Sequence, residues 1–178
     1  MNKNEILKWE TIYNKEEDLY NAGLEEELRT KFQKDKFVTK KDLEEIVKWK
    51  FQGRLKGKGK RILNLLNSVE DEFIQQVSKL AFQAEDDKIR LSLLTSIKGV
   101  GVALSIVILT FYDPKRYGII DIHDWREMFG KEPADLFTDY KHTLKFFAKL
   151  REIADETDLT CRVIEKAIFM KNLKDSRK

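Results

Sequence analysis

Residues 94–111 read LTSIKGVGVALSIVILTF, and the two glycines in this stretch, Gly99 and Gly101, decide how the fold is to be read. Glycine disfavours helix and strand alike, so Lys98-Gly99-Val100-Gly101 marks a tight reversal or a close backbone approach. Leu94 and Ile97 end an amphipathic helix ahead of it. Behind it, Val102 to Tyr112 is almost wholly apolar and rich in Val and Ile, which by propensity alone suits a strand. A lone strand would have no partner in this chain. The run is therefore expected as a buried helix, with Ser105 small enough to let its neighbour approach.

Helical periodicity extends outward in both directions. Ile6, Trp9, Ile12 and Tyr13 share one face, and Leu19, Leu24, Leu28 and Phe32 share another. Thr39 followed by Asp42 predicts a capping box that opens a third helix, and Ser68 with Asp71 predicts the start of another over Phe73, Val77, Leu80 and Ala81. Further apolar series run through Ile89, Leu93, Leu94 and Ile97, then Leu144, Phe147, Ala148 and Leu150, then Val163, Ile164, Ala167, Ile168 and Met170. The two prolines, Pro114 and Pro133, fall in expected connections. The fold class is all-α, with about eight to ten helices. A single domain over residues 1–178 is expected, divisible into two helical lobes with the first and last helices packed together.

Composition narrows the function classes. At 178 residues the chain can bury a core without covalent staples. A net charge of +3 permits a nucleic-acid partner without demanding one. Cys161 is the sole cysteine, which rules out an intramolecular disulfide and any multi-cysteine zinc or iron–sulfur site. The apolar run is too short to span a bilayer, and MNKNEILKWE has no signal-peptide core. The expectation is a cytoplasmic chain with no membrane partner.

Two helices joined by a Gly-Val-Gly turn form a helix-hairpin-helix pattern, whose backbone N–H groups and second helix N-terminus suit a DNA phosphate. Alone, the same residues describe an ordinary turn with a glycine C-cap. The continuation TFYDPKRYGIIDIHDW goes further. From residue 91 to residue 130 the chain resembles the helix-hairpin-helix DNA glycosylases, relatives of endonuclease III and adenine glycosylase. In that family the hairpin helix is followed by a loop and an apolar stretch ending in an essential Asp. Here the stretch is Gly118-Ile119-Ile120-Asp121, and Asp121 lies 20 residues beyond Gly101.

The resemblance implies that Asp121 is the catalytic carboxylate, stabilising positive charge on the sugar as a base departs. As a residue type, Asp is equally an N-cap for the helix that follows. Lyase members carry a Lys two residues after the second hairpin glycine, where this chain has Ala103, so the implied activity is monofunctional. No cofactor is implied beyond a monovalent cation held by hairpin carbonyls. The implied partner is double-stranded DNA, bound by a monomer.

A second candidate is WKFQGRLKGKGKRI, residues 49–62, with Lys50, Arg54, Lys56, Lys58, Lys60 and Arg61 and no acid. Its three glycines predict a flexible loop, read as solvated surface or as a phosphate contact. Beside a hairpin motif, phosphate contact is favoured. Lys98, Gly99, Val100 and Gly101 complete the expected DNA-binding set. Trp49 is read as core rather than a stacking platform, and Cys161 as a packing residue. Lys115 and Arg116 suit a solvated turn or DNA equally. His123 and His142 are too few and too distant in sequence for a metal site. Two alternatives stay open: a non-enzymatic DNA-binding relative, and an all-α protein-interaction module.

Overall fold

The apolar series of the sequence wind into helix, except that Ile97, expected to end a helix, lies in the turn beyond its last residue, Thr95. The computed structural model describes residues 1–17, 19–52 and 55–176. Among them are ten helices and no strand: α1 Lys3–Glu16, α2 Leu19–Asp35, α3 Lys40–Lys50, α4 Lys58–Asn67, α5 Asp71–Gln83, α6 Asp87–Thr95, α7 Val102–Tyr112, α8 Ile122–Phe129, α9 Tyr140–Thr157 and α10 Cys161–Asp175. They divide into two compact units. One joins Met1–Ala22 to Asp113–Lys178, and the other is Gly23–Tyr112. No helix among the described residues is long and apolar enough to cross a membrane.

The Gly23–Tyr112 unit is organised around α7. Ile106, Val107, Ile108 and Leu109 are wholly enclosed, and the helix is apolar on every side, as a central helix must be. Its two buried hydroxyls close on their own helix. Ser105 Oγ donates to the Val102 carbonyl and Thr110 Oγ1 to the Ile106 carbonyl, each at 2.8 Å, which avoids the cost of orphaned polar groups. α6 and α3 pack against it, the latter setting Trp49 edge-on to Phe111 at 5.2 Å. Phe82 of α5 stacks on Tyr112 at 3.8 Å and meets Phe32 of α2 at 6.2 Å.

The capping box at α3 is present as expected. Asp42 N–H donates to Thr39 Oγ1, and Thr39 N–H donates to Asp42 Oδ2. Three expectations in this unit are corrected. Ser68 does not open α5; it follows the last residue of α4, and its hydroxyl donates back to the Leu65 carbonyl at 2.8 Å. The face of α5 is also rotated by about one residue. Phe73 and Leu80 are exposed, and Ile74, Val77, Ala81 and Phe82 are buried. Adjacent apolar residues at 73–74 and 80–81 satisfy either helical stripe, and packing chose the inner one. Ile89 on α6 is exposed as well, with Leu91 and Leu94 turned inward.

In the other unit α1, α8 and α9 all pack against α10. Tyr13 of α1 meets Phe169 edge-on at 6.0 Å, and Lys166 Nζ sits 4.9 Å over the Tyr13 ring. The segment ahead of α8 is tied to the start of α10, because Cys161 N–H donates to the Lys115 carbonyl and Arg162 N–H to that of Pro114. The crossing at Gly118 leaves no room for a side chain. A Cβ there would lie 2.7 Å from Leu150 Cδ1, 2.8 Å from Glu165 Cβ and 3.2 Å from the Cys161 carbonyl. Ala148 of α9 is exposed, against expectation, and Phe146, Phe147 and Leu150 form the buried face.

Candidate nucleic-acid interface

Gly99 has φ +99°, a conformation that side chains oppose. A Cβ there would also stand 3.2 Å from the Ile62 carbonyl, 3.2 Å from Leu65 Cβ and 3.3 Å from Leu66 Cγ. The close approach is thus to α4 of the same chain. Gly101 differs. It is exposed, its φ is not positive, and nothing lies within 4 Å of where its Cβ would be. Its carbonyl accepts from Leu104 and Ser105, both at 3.0 Å, so it opens α7 as the cap residue.

The turn leaves donors open. Val100 N–H is used by the Ile97 carbonyl, but among the described residues the amides of Gly99, Gly101, Val102 and Ala103 have no acceptor. Lys98 beside them is exposed and Val100 is buried, anchoring the turn. The carbonyls of Lys98, Gly99 and Val100 carry no donor among the described residues, so the turn retains oxygens that a monovalent cation could share.

The basic segment is only in part a loop. α3 runs through Lys50, and α4 begins at Lys58, so Lys58, Lys60 and Arg61 stand on the first turn of a helix. Gly59 is buried in that turn, 3.3 Å from the Phe51 ring at its would-be Cβ. Gly57 opens α4 at φ +57° with no side-chain cap. Helix therefore continues where glycines predicted flexibility, because the Phe51 and Leu55 side chains pack over it. Lys56, Lys58, Lys60 and Arg61 are all exposed, and none of them, nor Lys98, forms an ion pair among the described residues. Arg54 lies outside the described residues.

Gly99 brings these two candidates together. Its contacts at Ile62, Leu65 and Leu66 lie four to eight residues beyond Lys58, about 6–12 Å along the axis at 1.5 Å per residue, so the turn packs on the body of α4. Both α4 and α7 begin without a side-chain cap, and Lys56, Lys58, Lys60, Arg61 and Lys98 are exposed on these elements. Each terminus contributes open N–H groups and partial positive charge.

Asp121 belongs to the other unit. It is the N-cap of α8, and its Oδ1 accepts from His123 N–H at 2.9 Å. Its second oxygen has no partner among the described residues, and the residue is half-exposed. His123 Nδ1 lies 3.0 Å from Asn172 Oδ1, and Asn172 Nδ2 donates to Glu127 Oε2 at 3.2 Å. That orientation makes His123 Nδ1 the donor to Asn172 Oδ1. His142 Nε2 meets Asp135 at 2.9 Å. Lys115 is exposed and Arg116 lies 5.7 Å over the Tyr117 ring. Ala103 is half-buried on the first turn of α7. Trp49 is packed rather than offered for stacking, and its enclosed Nε1 has no acceptor. Among the described residues no three His, Cys, Asp or Glu side chains converge as a metal cluster.

Sequence reasoning passed over Asp124. It is fully buried, and neither carboxyl oxygen has a hydrogen-bond partner. Burial, then the Glu165 and Asp121 carboxylates, push its proton affinity well up; Arg162 opposes this, as does the Asp121 amide, which leans toward it without closing a hydrogen bond. An Asp three residues after an N-cap reads as an exposed capping-box partner, so no sequence signal distinguishes it. No protein-family model matches this chain, and no curated protein or solved structure is detectably similar to it.

Proposed function

We propose that this chain binds double-stranded DNA by its phosphates, through the α6–α7 turn and the first turn of α4. One observation carries the reading: Gly99 packs the α6–α7 turn on α4, both α4 and α7 begin without a side-chain cap, and Lys56, Lys58, Lys60, Arg61 and Lys98 are exposed on these packed elements. Open amides and unpaired cations on elements in contact suit a phosphate backbone.

The finer reading is monofunctional base excision on a helix-hairpin-helix glycosylase-like fold. Water would add across the glycosidic bond: its oxygen joins the sugar carbon, the carbon–nitrogen bond breaks, and the proton leaves with the base. Asp121 would stabilise the developing sugar cation with the oxygen that the helix cap leaves unused. Ala103 in place of an amine supports hydrolysis without strand cleavage, and equally supports a relative that binds DNA without acting on it.

Salt-dependent affinity for duplex DNA tests the binding, and excision of altered bases by wild type and Asp121→Asn tests the chemistry. Replacing Lys56, Lys58 and Lys60 by Gln should weaken binding and flatten the log–log salt slope by about 2.7 if each neutralises one phosphate. Undetectable binding at low salt would end the nucleic-acid reading. A folded Asp121→Asn that excises at the wild-type rate would remove Asp121 from the chemistry and leave a binder. Excision lowered by orders of magnitude with binding intact is the expected result.

A further inference from the structure

Asp124 has no part in that reading, yet both of its buried carboxyl oxygens lack a hydrogen-bond partner among the described residues. It is 0% exposed on the first turn of α8, with both oxygens lacking partners. α8 packs against α10, from which Glu165 and Arg162 face it, and Asp121 faces it from the segment entering α8. Arg162 is committed to Glu165 in a buried ion pair, with side chains 6% and 5% exposed, and Glu165 also accepts from Ile119 N–H at 3.2 Å. α9 brings His142 and Lys145, which meet the Trp125 ring at 5.3 and 5.6 Å. Glu127 of α8 is held by Lys171 and Asn172 of α10.

A neutral carboxyl can be tolerated in such a place at modest cost. An anion there, accepting no hydrogen bond, beside Glu165 and facing an Arg162 already paired with it, cannot. We propose that α8 is a pH-sensitive latch: an uncharged Asp124 seats the helix on α10, and its ionisation lifts the first turn, with Asp121 and His123, away from α10. The latch stands whether or not Asp121 excises bases. Through it, any ligand held at the start of α8 becomes sensitive to rising pH.

The sign of the linkage follows from the direction of the shift. Burial raises the folded-state proton affinity, so between the unfolded aspartate range, about pH 4, and the folded midpoint the native state binds one more proton. This contribution is full at the acid end and is lost as pH rises, by up to tenfold in the folding equilibrium constant per pH unit.

The direct test is a pH titration of the wild-type protein with carboxyl-labelled aspartate, followed by NMR, with amide exchange measured over residues 122–125. The Asp124 resonance should remain that of a protonated carboxyl at neutral pH, and its titration should coincide with loss of protection in α8. Urea unfolding of Asp124→Asn, or of Asp124→Leu should Asn not fold, should lack the loss of stability that wild type shows as pH rises above about 4. An Asp124 already ionised at neutral pH overturns the proposal. So does a titration that leaves α8 protected, or a variant that keeps the full loss of stability with rising pH.

Discussion

Gly99→Ala should be one of the most damaging small substitutions available to the Gly23–Tyr112 unit. An alanine at φ +99° carries a backbone penalty of about 1–3 kcal/mol. Its Cβ would press at 3.2 Å on the Ile62 carbonyl and on Leu65 Cβ, and at 3.3 Å on Leu66 Cγ. Backbone and Cβ atoms of a packed helix give little, so overpacking adds about 1 kcal/mol. The sum, about 2–4 kcal/mol, lowers the folding equilibrium constant roughly 30- to 1000-fold. Gly101→Ala is the internal control, two residues away. Its Cβ meets nothing within 4 Å and its φ is not positive, so a gain of about 0.4–1 kcal/mol from a stiffer unfolded chain offsets the poorer N-cap. Urea unfolding with unchanged m-values measures both. Equal midpoints for the two variants, or a Gly99→Ala midpoint within error of wild type, would refute the close approach to α4. The pair also separates stability from binding, because a Cβ at Gly101 enters the group of open amides without disturbing the fold.

Gly118→Ala should cost about 1–3 kcal/mol by overpacking, since the Leu150 tip can rotate away but Glu165 Cβ and the Cys161 carbonyl cannot; an unchanged melting temperature would contradict that crossing. Burial pushes the Cys161 thiol up to about 11, so at neutral pH it stays protonated and enclosed. Its reaction with a disulfide reagent should proceed at the rate of opening, and prompt stoichiometric labelling of folded protein would show the site to be accessible. Borohydride in the presence of abasic duplex should trap no covalent adduct, given Ala103 at the amine position. An adduct lost on replacing one particular Lys would reveal a nucleophile elsewhere.

Local signals in the sequence were reliable where one physical effect dominated. Thr39 and Asp42 can satisfy each other's amides without help from the rest of the fold, so the start of α3 was legible. So was α7, whose residues are apolar on every side and had no strand to pair with. The start of α4 was not. Residues 57–60 carry two glycines among lysines and read as flexible, and only the packing of Phe51 and Leu55 over Gly59 makes them helix. The stripe of α5 was ambiguous by one residue because adjacent apolar pairs fit two faces equally well, and in α6 Ile89, Leu91, Leu93 and Leu94 offer more than one apolar face. The two halves of the proposed interface were each visible as motifs, but their adjacency depends on Gly99 meeting Ile62, a contact between residues 37 apart in sequence. Asp124 was invisible for a different reason: burial of a carboxyl is a property of its neighbours, and spacing alone made it an ordinary cap.

The division of the chain has a kinetic consequence during synthesis. Gly23–Tyr112 is continuous, so all its partners have left the ribosome by the time α7 emerges. The other unit is interrupted, and α1 finds the helix it packs against only when α10 appears, roughly 145 residues later. At about 5–20 residues per second that is a wait of roughly 7–30 s. Ile6 and Tyr13 are uncovered throughout it, so the interval in which this protein is open to misassociation is set by translation speed rather than by the folding rate of its helices.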